Sequence, residues 1–105
     1  AKLLDELVKR NIHLEICPGS NLSLSVFADW DSHPLPSFIS KGISVSLNSD
    51  DPPFFHTSVG LEYINSAKHM DISLEALKKI SLMAMDASFA DADTKSRLIN
   101  KIIEF

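Results

Sequence analysis

Apolar positions along the chain switch between two periods, and the switches mark its elements. Leu3, Leu4, Leu7 and Val8 recur at helical spacing, which predicts a first helix over residues 2–10 with Asn11 as its stop. Ile12-His13-Leu14-Glu15-Ile16-Cys17 then alternates apolar and polar, the period of a strand. Pro18-Gly19-Ser20-Asn21 should end that strand, because Pro18 has no N–H for a ladder and Gly19 tolerates turn geometry. Residues 22–31 hold apolar side chains without a clean period.

The second half is more regular. Ser32-His33-Pro34 reads as a helix start, since proline fits a first turn, and the short helix over residues 35–41 closes at Gly42. Ile43 to Leu47 is a second strand, running into the acidic loop Asn48-Ser49-Asp50-Asp51. Residues 57–68 form a helix with Val59, Leu61, Ile64 and Ala67 available to a core. Ser73 caps a longer helix over residues 74–88, with Ile72 and Leu77 placed as a hydrophobic staple. Asp91 begins a last helix whose stripe is Leu98, Ile99, Ile102 and Ile103.

Helix, strand, helix, strand and then helices is the order of βα units with parallel strands. Parallel sheets are normally covered on both faces and have several strands, and two strands alone leave both outer edges unpaired. The expected fold class is therefore α/β, as a wedge of a larger structure. The opening helix has no Ser, Thr, Asp or Asn before it, which fits a chain whose beginning lies elsewhere.

Composition narrows the function classes. Of 105 residues, 45% are hydrophobic and 23% charged, an ordinary globular balance. The net charge of −4 comes without a Lys/Arg cluster, so neither nucleic acid nor an anionic membrane is an expected partner. No apolar run approaches the ~20 residues of a membrane helix. Acids in Ala1-Lys2-Leu3-Leu4-Asp5-Glu6 argue against a secretory signal, and the lone Cys17 cannot form an internal disulfide, so the expected location is cytoplasmic.

Chemistry concentrates where the second strand ends. Asp50 and Asp51 leave it in succession and should point in different directions, so that one can coordinate a metal while the other accepts a hydrogen bond from a substrate. Asn-Ser-Asp-Asp-Pro-Pro is also ordinary turn composition. The histidines, His13, His33, His56 and His69, contain no His-x-His or His-x-x-x-His pair. His13 belongs to the polar face of a strand, His33 to a helix start, His56 to a pocket wall and His69 to a helix end, where a cation is favoured. Trp30, Phe54 and Phe55 are core aromatics or platforms for a flat ring. The cytidine-type zinc deaminases are excluded, since they need Pro-Cys-x-x-Cys and this chain has one cysteine.

Several segments together resemble the adenosine/adenine deaminases, metal-dependent members of the amidohydrolase superfamily. Leu14-Glu15-Ile16-Cys17-Pro18-Gly19-Ser20-Asn21 is similar to the family's penultimate barrel strand and loop. His33-Pro34-Leu35 and Gly42 through Phe55 are similar to its next helix and last strand, with Ser46-Leu47-Asn48-Ser49-Asp50-Asp51-Pro52 the most specific string. Thr57 through Tyr63 and Ala87-Ser88-Phe89 resemble its C-terminal helices. The resemblance implies that residues 1–105 are the C-terminal portion of a (β/α)8 barrel: two parallel strands with flanking helices, the last two βα units plus C-terminal helices. It implies hydrolytic deamination of adenosine or adenine, water attacking purine C6 and ammonia leaving. By position, Asp50 would be a ligand of one Zn2+ and Asp51 would bond the purine at its N7 side. The family's histidine ligands, catalytic glutamate and second catalytic histidine have no counterpart here, so the remaining ligands are missing and the chain alone is expected to be inactive. Its strand edges would be covered by the rest of the barrel or by another chain. The alternative is a nonenzymatic α/β module that pairs with another chain through those edges.

Overall fold

The computed structural model describes residues 2–105; Ala1 lies outside the described residues. Helix α1 (Lys2–Lys9) leads through Asn11, at φ +51°, into strand β1 (Leu14–Ile16). Helices α2 (Pro18–Ser23) and α3 (Leu35–Ser40) precede strand β2 (Val45–Leu47). The one-turn helix α4 (Pro52–Phe55) follows, then α5 (Val59–His69), α6 (Leu74–Ala87) and α7 (Ala92–Glu104). Among these described residues no helix is long and apolar enough to cross a membrane.

The strands run parallel, with Leu14 opposite Val45, Glu15 opposite Ser46 and Ile16 opposite Leu47. At its two ends the ladder is joined by Leu14 N–H to Ser44 O at 2.9 Å and Asn48 N–H to Ile16 O at 2.8 Å. One sheet face is apolar: Ile16, Ile43, Val45 and Leu47 join Leu35, Met70, Ile72, Leu77 and Ile80 in the core, and α6 packs across β2. The other face is polar. There the His13 imidazole bridges the strands, Nδ1 at 2.7 Å from Ser44 Oγ and Nε2 at 3.0 Å from Ser46 Oγ, while Asn48 Nδ2 donates to Ser46 Oγ at 3.0 Å.

The helix boundaries follow the caps. Ser58, Ser73 and Asp91 each accept a backbone N–H three residues on, from Leu61, Ala76 and Thr94. Ile72 and Leu77 are both buried on either side of the Ser73 cap. Gly42 has φ +78°, the left-handed geometry that closes α3.

Three expectations are corrected. Pro18-Gly19-Ser20-Asn21 does end the strand, but as the opening of α2, with Pro18 in the first turn. The acidic loop runs directly into α4, whose first residues are the two prolines. Helix α5 is largely turned away from its apolar stripe: Ala67 packs against the core, but Val59, Leu61 and Ile64 are exposed, whereas Glu62 and Ser66 are fully buried. On that inward face Glu62 Oε1 accepts the Gly19 N–H at 2.9 Å, a contact distant in sequence.

Candidate functional site

The C-terminal ends of β1 and β2 open into a cleft of about 270 Å3, bordered by Cys17, Asn21, Phe27, His33 and Asp50. This is the end of parallel strands where α/β proteins place their chemistry.

Asp50 is exposed and has φ +59°, a left-handed conformation that Asp tolerates better than most residues. The buried Ser20, in the first turn of α2, donates its hydroxyl to Asp50 Oδ2 at 2.8 Å. One carboxylate oxygen is thus oriented by the helix that follows the neighbouring strand. Asp51 occupies the N-cap position of α4, yet its side chain makes no capping hydrogen bond; its backbone carbonyl instead accepts from Phe54 and Phe55 at 3.1 and 3.0 Å. Its exposed carboxylate is left uncommitted to the helix.

The surroundings fix the protonation of the neighbours. Burial, reinforced by Asp50, Glu62 and Glu15 and partly offset by the Asp50 backbone N–H, pushes the Cys17 thiol above its ordinary value, which favours the protonated thiol. His33 is 5% exposed; its Nδ1 accepts the Leu35 N–H at 3.1 Å, so Nε2 carries the proton and faces Asn21 Oδ1 at 3.1 Å. Burial holds its pKa below 6.5. Burial pushes the Glu62 carboxyl up, partly offset by the Gly19 N–H.

The other residues singled out in the sequence lie apart from this cleft. His56 is exposed with φ +51° at the end of α4. His69, the last residue of α5, stacks on Trp30 with ring centroids 5.3 Å apart. Phe54 and Phe55 pack edge-on against each other at 5.0 Å. Ser20, Asn21 and Glu62 escaped the sequence reading as individual site residues; the sole signal was that Ser20 and Asn21 end the family-like string after β1.

No group of three or more His, Cys, Asp or Glu among the described residues could hold a metal ion. Asp50 fits the role of a single ligand: one oxygen is oriented by Ser20, and the carboxylate is open to solvent at a strand end.

Comparison with known proteins agrees with this arrangement. The family model described as Adenosine deaminase matches residues 1–105. The adenine deaminase of Sinorhizobium fredii is 46% identical over 99 residues, covering 94% of this chain and 31% of that protein. The adenine deaminase of Agrobacterium fabrum is 38% identical over 102 residues, covering 97% and 31%. The crystal structure of adenine deaminase from Arthrobacter aurescens superposes with a TM-score of 0.96 at 28% identity, over 99% of this chain and 32% of that one. An Arabidopsis N6-mAMP deaminase structure gives 0.87 at 25% identity, over 96% and 30%. The chain thus spans about 31% of the relatives it matches. The α/β class stands, as two parallel strands and flanking helices from the C-terminal part of a deaminase barrel. By these matches, the chain belongs to the adenosine deaminase family.

Proposed function

We propose that residues 1–105 form the last two βα units and C-terminal helices of a zinc-dependent purine deaminase that hydrolyses the amino group of adenine or adenosine. Adenine is the first choice, because the relatives at up to 46% identity are named adenine deaminases. The observation that carries this reading is Asp50, placed at the end of β2 with one oxygen oriented by Ser20. Asp50 would be one of the residues that hold the metal; a bound zinc would supply Lewis acidity that lowers the pKa of water towards neutrality.

The chain's own residues orient and select. Ser20 holds one Asp50 oxygen, which limits rotation of the carboxylate about its Cα–Cβ bond. Asp51, next in sequence and free of the α4 cap, would hydrogen-bond the purine at its N7 side. The rest of the barrel covers the strand edges and supplies the remaining ligands, in a reading that is cytoplasmic in line with the unpaired Cys17.

The test is ammonia release from adenine and adenosine with zinc supplied. The full-length protein should turn over adenine, and the 105-residue chain should not, since one carboxylate cannot replace the usual three protein ligands. Robust turnover by the isolated chain, or none by the full-length protein, would refute the reading.

A further inference from the structure

The most unusual side chain in the molecule is Glu62. Its side chain is fully buried in the first turn of α5, Oε1 accepts the Gly19 N–H at 2.9 Å, and Oε2 is buried without a partner, as is Ser66 Oγ one turn on. Burying a carboxyl is unfavourable, and an apolar residue there would remove the cost. Its position suggests what the carboxyl does.

Helix α2 begins without a side-chain cap, since Cys17 supplies none. Its first residue, Pro18, has no N–H, so the Gly19 N–H is the first donor left without an intrahelical acceptor. Glu62 reaches across from α5 and takes it. The approach is so close that a Cβ on residue 19 would lie 2.6 Å from Glu62 Oε1, and glycine is what makes room. The next residue is Ser20, the donor to Asp50 Oδ2 at 2.8 Å. Two hydrogen bonds made by adjacent residues of α2, Gly19 and Ser20, therefore connect Glu62 on α5 to Asp50 at the end of β2.

We infer that Glu62 is a positioning residue: by capping α2 through Gly19 it sets Ser20 against Asp50 and so fixes the orientation of that carboxylate. The consequence for a metal rests on the function proposed above; the mechanical coupling does not. A leucine or methionine at position 62 would pack the site and release the start of α2.

The test uses the full-length protein as wild type, Glu62→Gln, Glu62→Met, Ser20→Ala and the Ser20→Ala/Glu62→Met double variant. Amide hydrogen exchange is followed in residues 18–23 and 48–51, and zinc affinity by chelator competition. Glu62→Met should speed exchange in both segments and weaken zinc binding by about 10-fold, the lower end for outer-shell partners. In the Ser20→Ala background the same change should affect residues 18–23 alone and weaken zinc no further, because the link to Asp50 is already cut. Glu62→Gln, which keeps an acceptor for Gly19, should leave the zinc affinity and the exchange of residues 48–51 no weaker and no faster than in wild type. Should Glu62→Met fail to fold, Gly19→Ala displaces the same carboxyl from the other side and is read in the same way. Unchanged exchange in residues 48–51 in these variants overturns the inference. Intact coupling in a full-length protein that neither binds zinc nor releases ammonia would sink the proposed function and leave the coupling standing.

Discussion

His33 Nε2 donates to Asn21 Oδ1 at 3.1 Å, tying the start of α3 to α2 across the cleft that contains Asp50. The opposite nitrogen accepts the Leu35 N–H, so the ring acts as the cap that Pro34 cannot provide. Both bonds are satisfied by one neutral tautomer, and protonating Nδ1 would break the second.

A pH dependence follows from that tautomer. Burial lowers the His33 pKa below its ordinary 6.5, so the unfolded chain binds the proton more readily than the fold. The stability from this group is full above pH 6.5 and is lost as pH falls through the lowered value. Urea midpoints of the wild type should fall on going from pH 7.5 to about 5.5, and His33→Asn, which keeps a capping acceptor, should flatten that fall. Parallel profiles for the two proteins would assign the effect to another group.

Glu62 has the opposite sign. Its raised carboxyl is favoured in the protonated form, so its contribution is full below the ordinary value of 4.5 and is lost as pH rises through the raised value. Glu62→Gln cannot ionise and should be more stable than wild type at pH 7, with the difference shrinking towards pH 4.5. Thermal midpoints at the two pH values check this; a variant less stable at pH 7 contradicts it.

Asp50 and Asp51 should separate in kinetics of the full-length protein. Asp50→Ala removes a ligand and should lose zinc together with turnover, whereas Asp51→Ala should retain zinc and lose kcat/KM by roughly 30- to 150-fold, in line with about 2–3 kcal/mol for a hydrogen bond to a charged group. Metal content after dialysis, measured beside steady-state rates, distinguishes them. Equal zinc loss in both variants would contradict the assignment.

Gly42 isolates a backbone effect. At φ +78° with no atom within 4 Å of an added Cβ, Gly42→Ala meets no clash and should cost about 1 kcal/mol from the left-handed conformation alone. Asn at this position should cost less. A denaturation midpoint unchanged by alanine would show that the turn relaxes.

What could be read from the chain divides along the range of the interactions. Ser73, Asp91 and Gly42 announce helix ends through bonds made within three or four residues, and α6 and α7 begin where those caps place them. The two strands are legible because each alternates over its own few residues. The start of α2 was not, because Pro-Gly-Ser-Asn has turn composition and its first free N–H is satisfied by Glu62, 43 positions away. The orientation of α5 was only partly legible: Ala67 packs on the core as its stripe implies, but the burial of Glu62 goes with a distant Gly19 N–H. In the site, Asp50 and Asp51 were visible as a pair at a strand end, while the Ser20 contact, 30 positions away, became visible only with the parallel register of β1 and β2.

The inverted α5 also bears on how this segment finds its place during assembly. Greasy surfaces tolerate sliding and rotation with little change in energy, so a helix seated by hydrophobicity alone has many nearly equivalent settings. A carboxyl with one available donor acts as a detent: turning α5 by a single residue, about 100°, would strand Glu62 and leave Gly19 unanswered. Mispacked arrangements are thereby penalised sharply, and the helix gains a unique angular setting at some expense in overall stability.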